Sequence, residues 1–207
     1  MSHKFFDLTF TESVKAAQEK YGSRRSYARS EGGKPDFYGL SDAEQDFIER
    51  RDSFYMATVN NEGQPYIQFR GGAEGFLKVL DDKTLGFADF RGNMQYISIG
   101  NLQENKKAAL FLMDYPNQTR LKILANVEVI DARNKPEILE NLVVPGYKAK
   151  IERAMILHVE AFDWNCPQHI TQRFTMDEVK QIVAPMNEHI EKLEKEIEEL
   201  KMQKHAR

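Results

Sequence analysis

Hydrophobic positions recur with two different periods along this chain. Between about residues 53 and 162, short apolar or alternating runs rich in Val, Ile, Phe, Tyr and Thr are broken by Gly, Asn, Asp and Pro. That is the pattern of β-strands joined by tight turns. Strands are expected at 53–59, 65–70, 76–80, 84–90, 108–113, 120–130 and 153–162. Asn60-Asn-Glu-Gly63, Asp81-Asp-Lys83 and Tyr115-Pro-Asn-Gln118 read as turns between them, Gly63 standing where a positive φ is needed. Six or seven mostly antiparallel strands at this spacing predict a small barrel with a few helices, a mainly β, α+β fold.

Helical signals surround the strands. Over residues 11–21, Thr11 stands as a cap, Val14, Ala17 and Tyr21 share a face, and Gly22 can end the helix. Ser41 and Glu44 form a capping box ahead of Phe47 and Ile48. Further helices are expected over 94–105, with Ile97 and Leu102 inward, and over 135–142. The C-terminus changes character. After a second capping box at Thr175 and Glu178, Val183, Met186, Ile190, Leu193, Ile197 and Leu200 repeat at spacings of 3, 4, 3, 4 and 3, with Glu and Lys between them. That spacing is a coiled-coil seam. It reads as a dimer contact, or as a helix laid on its own barrel. The organisation is therefore an N-terminal helical segment (1–50), a barrel (51–174) and an amphipathic helix (175–207).

Composition narrows the function classes. With 207 residues, 41% hydrophobic and 29% charged, the chain can bury a core. A net charge of −3 with Lys and Arg interleaved among acids gives no basic stripe for nucleic acid or anionic membrane. Any phosphate must meet a local site. One cysteine, Cys166, makes no intrachain disulfide. No membrane-length apolar run and no signal-peptide pattern is seen, so a cytoplasmic protein is expected.

Two stretches carry candidate chemistry. The first is Asp89-Phe-Arg91-Gly-Asn93-Met-Gln95-Tyr96-Ile-Ser98, which crosses from strand to helix. Free N–H groups at a helix start attract anions, and Arg91, Asn93, Gln95, Tyr96 and Ser98 add side-chain donors. Arg70-Gly-Gly72 closes a strand and reads either as a guanidinium aimed at a phosphate or as a strand-end bulge. The second stretch, residues 162–174, holds the only Trp and the only Cys. Trp164, Asn165, Gln168 and His169 can supply a stacking face and hydrogen bonds to a heterocycle, or simply cover a barrel end. His158, Cys166 and His169 match no standard zinc spacing, so no metal is expected. The Gly-x-Gly-x-x-Gly dinucleotide fingerprint is absent.

Several motifs together resemble the flavin-nucleotide-binding proteins related to pyridoxamine 5'-phosphate oxidase. They are Phe54-Tyr-Met-Ala-Thr-Val59, Gly63-Gln-Pro-Tyr66, Gln68-Phe-Arg-Gly-Gly72, Gly75-Phe-Leu-Lys-Val-Leu-Asp81, Ala88-Asp-Phe-Arg-Gly-Asn93, Gln95-Tyr-Ile-Ser98 and Asp163-Trp-Asn-Cys-Pro-Gln-His-Ile170 with Arg173. The resemblance implies a six-stranded antiparallel split β-barrel and a homodimer with flavin sites at the interface. It implies FMN, with FAD less favoured because there is a single phosphate loop. By motif it places Lys78 on the flavin phosphate, Asp89 at the strand end facing the flavin, and Trp164 to His169 with Arg173 near the ring. His169 is the best candidate for proton transfer. Ala73 stands where the oxidases carry Arg, and the C-terminal substrate-phosphate motif is missing, which argues against pyridoxamine phosphate as substrate. The expectation is a flavin-dependent oxidoreductase acting on a small molecule or electron donor. The alternatives are a flavin carrier or sensor without turnover and, further off, a haem-binding split barrel using His158 or His169.

Overall fold

The computed structural model describes residues 3–29, 39–133, 136–164 and 167–205. They fall into two compact units, the described residues within 1–114 and 119–168 and those within 115–118 and 169–207.

The first unit opens with three short helices, α1 (His3–Thr9), α2 (Glu12–Lys20) and α3 (Arg24–Ala28). Thr11 caps α2 as expected, its hydroxyl accepting from the Val14 N–H at 3.3 Å. Neither α1 nor α3 was expected. Their cause is a tertiary aromatic cluster, in which Phe6 stacks on Phe10 and Tyr27 meets both edge-on. Helix α4 (Asp42–Glu49) starts at the expected capping box: the Ser41 N–H and hydroxyl both donate to Glu44. Its Ile48 is fully buried.

Seven strands follow: β1 (Ser53–Val59), β2 (Pro65–Gly71), β3 (Lys78–Asp81), β4 (Thr84–Phe90), β5 (Lys107–Asp114), β6 (Thr119–Asp131) and β7 (Ile151–Trp164). Helix α5 (Ile97–Glu104) lies between β4 and β5, and α6 (Pro136–Glu140) between β6 and β7. All pairings are antiparallel, in one sheet of order β2-β1-β5-β6-β7-β4-β3. This corrects the six-stranded expectation: there are seven strands, and the sheet is not closed, because its end strands β2 and β3 are not hydrogen-bonded to each other. The sheet nevertheless curls. Arg70 on β2 and Asp89 on β4 stand five places apart in the strand order and form an ion pair.

The concave face holds the core. Phe54, Met56, Phe76, Leu85, Phe87, Leu110, Leu121 and Ile123 are buried there, with Phe54 stacked on Phe76 and edge-on to Phe87. Alternation along β1 puts Phe54, Met56 and Thr58 inward and leaves Tyr55 partly exposed. No helix of the described residues is long and apolar enough to cross a membrane.

In the second unit, α7 (Met176–His205) is a single 30-residue helix with no buried residue. The expected box at its start is present: the Thr175 N–H donates to Glu178 Oε2 at 2.7 Å, and the Glu178 N–H to Thr175 Oγ1 at 3.2 Å.

Candidate functional site

A cavity opens where β2, the end of β4, the turn into α5 and the start of β7 converge. It is lined by Tyr66, Gln68 and Arg70 from β2, by Asp89 and Phe90 from β4, by residues 92–99, and by Arg153 from β7. The strand-to-helix stretch and Arg70, separate in sequence, therefore share one wall-lined space. Its empty volume is ≈ 380 Å³ including the open mouth, but the space admitting the centre of a water molecule is only ≈ 40 Å³. That is room for a few waters, whereas small-molecule sites run to roughly 300–1,000 Å³.

Local geometry explains how the wall is built. The β4–β7 register shifts between Asp89 and Phe90, a bulge that turns the chain out of the sheet. Met94 and Tyr96 then adopt left-handed backbone, φ 59° and 55°. Non-glycine residues pay roughly 1–2 kcal/mol each for this. Such strain persists only where surrounding structure holds it, and it gathers at binding sites. It also delays α5, which begins at Ile97 rather than at Met94 as the periodicity predicts. Tyr96 makes no side-chain cap to α5. The first-turn N–H groups, which have no intrahelical partner, are thus left without a capping side chain. Two buried side chains anchor α5: Ser98 donates to Gln68 on β2 at 3.0 Å, and Asn101 to Thr58 on β1 at 3.0 Å.

Electrostatics centre on Asp89, whose exposure is 2%. One carboxylate oxygen accepts from Arg70 Nη1, and the other accepts from Arg153 Nε at 2.8 Å. Arg153 also reaches Glu152 at 3.0 Å and stands over the Tyr96 ring at 5.0 Å. Burial alone would lower the Arg153 pKa. The hydrogen bond and charge of Asp89, with Glu152 added, outweigh it and hold the guanidinium above its ordinary value. Arg70 is not fully satisfied by Asp89, because its Nε is buried without a hydrogen-bond partner. A buried guanidinium N–H beside a cavity is a donor awaiting an acceptor.

Of the residues expected from sequence, Arg70, Asp89, Asn93, Gln95, Tyr96 and Ser98 line this cavity. Arg91 lies beside it, its Nε 3.4 Å from Glu152 and its Nη2 3.3 Å from Met94 Sδ. Lys78 sits on β3 opposite Gly86 and does not line the cavity. Trp164 does not line it either: its indole N–H donates to buried Glu44 at 2.5 Å and its ring packs edge-on to Phe47. Gln168 is exposed. His169 and Arg173 belong to the second unit, where His169 is exposed with φ 66° and Arg173 stands 5.0 Å from the Tyr115 ring. Asn165 and Cys166 lie outside the described residues, as does the 30–35 loop. His158 is exposed on β7, 3.8 Å from Glu128. Among the described residues no group of three or more His, Cys, Asp and Glu could hold a metal ion.

Sequence reasoning missed Arg153, Glu152, Tyr66 and Gln68. The signal for Arg153 was the register: Asp89 and Arg153 are direct partners across β4 and β7. For Tyr66 and Gln68 it was period-two alternation with Arg70 along β2.

A curled, open seven-stranded antiparallel sheet with a polar cavity beside its edge strand defines the class: an α+β protein. The family model described as pyridoxamine 5'-phosphate oxidase matches residues 40–162, more than half of the sequence, and the chain belongs to that family. Members of this family typically bind flavin or F420. Similar solved structures include a candidate pyridoxamine 5'-phosphate oxidase from Lactobacillus delbrueckii, 22% identical, covering 62% of this chain and 96% of its own, with a TM-score of 0.47. HupZ from Group A Streptococcus is 17% identical over 65% of this chain and 99% of its own, with a TM-score of 0.46. An F420 reductase is 17% identical over 60% and 98%, with a TM-score of 0.42. No curated protein matches the chain.

Proposed function

We propose that this protein binds FMN through the cavity between β2 and the β4–α5 turn, and acts as a flavin-dependent oxidoreductase on a small-molecule substrate or electron donor. The observation that carries the reading is Arg70, which lines a space shared with Asn93, Gln95, Ser98 and the start of α5 and whose buried Nε has no hydrogen-bond partner. The Arg70 guanidinium, the Asn93 and Gln95 side-chain amides and the uncapped N–H groups at the start of α5 fit a phosphate monoester, while Ser98, whose hydroxyl donates to Gln68, braces the wall. Asp89 keeps Arg70 and Arg153 in place, and Arg91 adds charge at the rim. A single such cradle favours FMN over FAD. Bound there, the flavin would supply the redox chemistry, and the chain's part is to bind and orient it.

The small enclosed volume argues that one chain provides only part of the site. A homodimer with sites at the interface completes it. Support comes from the outer face of β1 and β2, where Ile67 and Phe69 are 64% and 59% exposed beside Tyr55 and Ala57. Such a contiguous apolar sheet face marks an interaction surface. Neither Ile67 nor Phe69 lines the cavity. The double variant Ile67→Asp/Phe69→Asp is expected to lower FMN affinity at least ~10-fold, or about 1.4 kcal/mol, with unchanged far-UV circular dichroism. Undiminished affinity in equilibrium dialysis would count against a shared site.

The visible spectrum tests the cofactor. Purified protein, or protein mixed with FMN and then freed of excess, is expected to show flavin bands between roughly 350 and 500 nm. A colourless protein that takes up no FMN would sink the reading, and a Soret band would replace it with haem. Bleaching by NADH or NADPH and reoxidation in air separate an oxidoreductase from a flavin carrier or sensor.

A further inference from the structure

We infer that α7 pairs in parallel, in register, with the α7 of a second copy of this chain, as a two-stranded coiled coil separate from the flavin-site interface. The helix begins at Met176, which extends the seam beyond the stretch legible as a strict repeat. With Met176, Val183, Ile190 and Ile197 at a, the d positions are Val179, Met186, Leu193 and Leu200. The seam thus runs over more than three heptads, the length a coiled coil requires. Its side chains are exposed, Met176 to 71%, Ile190 to 52% and Leu200 to 64%. Burying these side chains is the driving force, and only a partner with the same period can interdigitate with all of them.

Two features select a parallel second copy as that partner, and a third is compatible with it. β-Branched Val183, Ile190 and Ile197 at a, with Leu193 and Leu200 at d, favour two parallel strands. Charge complementarity agrees. In a parallel pair each g residue faces the e residue five positions on in its partner. Glu196 then meets Lys201, His189 meets Glu194, Ile182 meets Asn187 and Thr175 meets Lys180, and no like charges oppose. Pro185, inside the helix, falls at c on the outer face, where the missing N–H and any bend leave the seam intact. A parallel in-register pair is isologous, so the contact closes on itself once two chains are joined through it.

The test uses the full chain with Cys166→Ser, which removes the only native thiol. Ile190→Cys places a thiol at a, facing its own copy in the partner. Lys195→Cys places one at f on the outside. Under mild oxidation, Ile190→Cys is expected to give at least ~5-fold more disulfide-linked dimer than Lys195→Cys on a non-reducing gel. Adding Glu196→Lys to Ile190→Cys should cut the yield severalfold, and Lys201→Glu in the same chain should restore it. Equal cross-linking of the two thiols, or none at Ile190→Cys, would overturn the pairing. Failure of the second charge change to restore the yield would overturn the parallel register. None of these readouts depends on FMN, so the coil and the flavin reading fail separately.

Discussion

Asp89→Ala is expected to destabilise the first unit by about 3–5 kcal/mol, the cost of breaking a buried ion pair by removing one partner. Asp89 is 2% exposed and accepts from two guanidinium groups at once. Without it, Arg70 and Arg153 confront each other with side chains that are 12% and 17% exposed, and two donors lose their acceptor. At roughly 2–4 °C per kcal/mol for a chain of this size, the thermal midpoint should fall by ~6–20 °C. Asp89→Asn, which still accepts one hydrogen bond, should fall between the parent and Asp89→Ala. A midpoint within ~2 °C of the parent for Asp89→Ala would show that the arginines are satisfied without Asp89.

Arg70→Met is expected to weaken FMN binding by ~10- to 150-fold, since a hydrogen bond to a charged group contributes about 1.5–3 kcal/mol. The methionine stem keeps the packing against Phe87, whose ring lies 5.8 Å from the guanidinium. Asp89 retains Arg153, so the fold should persist with a modest loss of stability. The weakening should itself shrink as salt is raised, because the parent contact is ionic. Isothermal titration at two ionic strengths checks both points. An unchanged affinity would place the phosphate elsewhere, and Lys78 on β3 would be the next residue to replace.

Much of the fold was readable because its causes are local. Both capping boxes, Ser41 with Glu44 and Thr175 with Glu178, are present where the sequence placed them. Strands β1, β2 and β4 follow from alternation and turn residues within a few positions. What was not readable depends on distant partners. Helices α1 and α3 are held by the Phe6, Phe10 and Tyr27 cluster rather than by periodicity of their own. Trp164 looked like a ring-stacking platform, yet its indole N–H is committed to Glu44, 120 residues away. The cavity divides the same way. Asn93 to Ser98 announced themselves as a donor-rich start of a helix. Arg153, 64 residues from Asp89, needed the strand register to find it. The left-handed backbone at Met94 and Tyr96 has no glycine or asparagine at either position to betray it.

The central claim is that the cavity around Arg70 holds a phosphate. Equilibrium dialysis of the intact protein against FMN and against riboflavin, which differ only in that group, tests it most directly. The account predicts at least ~10-fold tighter binding of FMN, about 1.4 kcal/mol, and a preference that Arg70→Met largely abolishes. Equal affinity for the two ligands would contradict it.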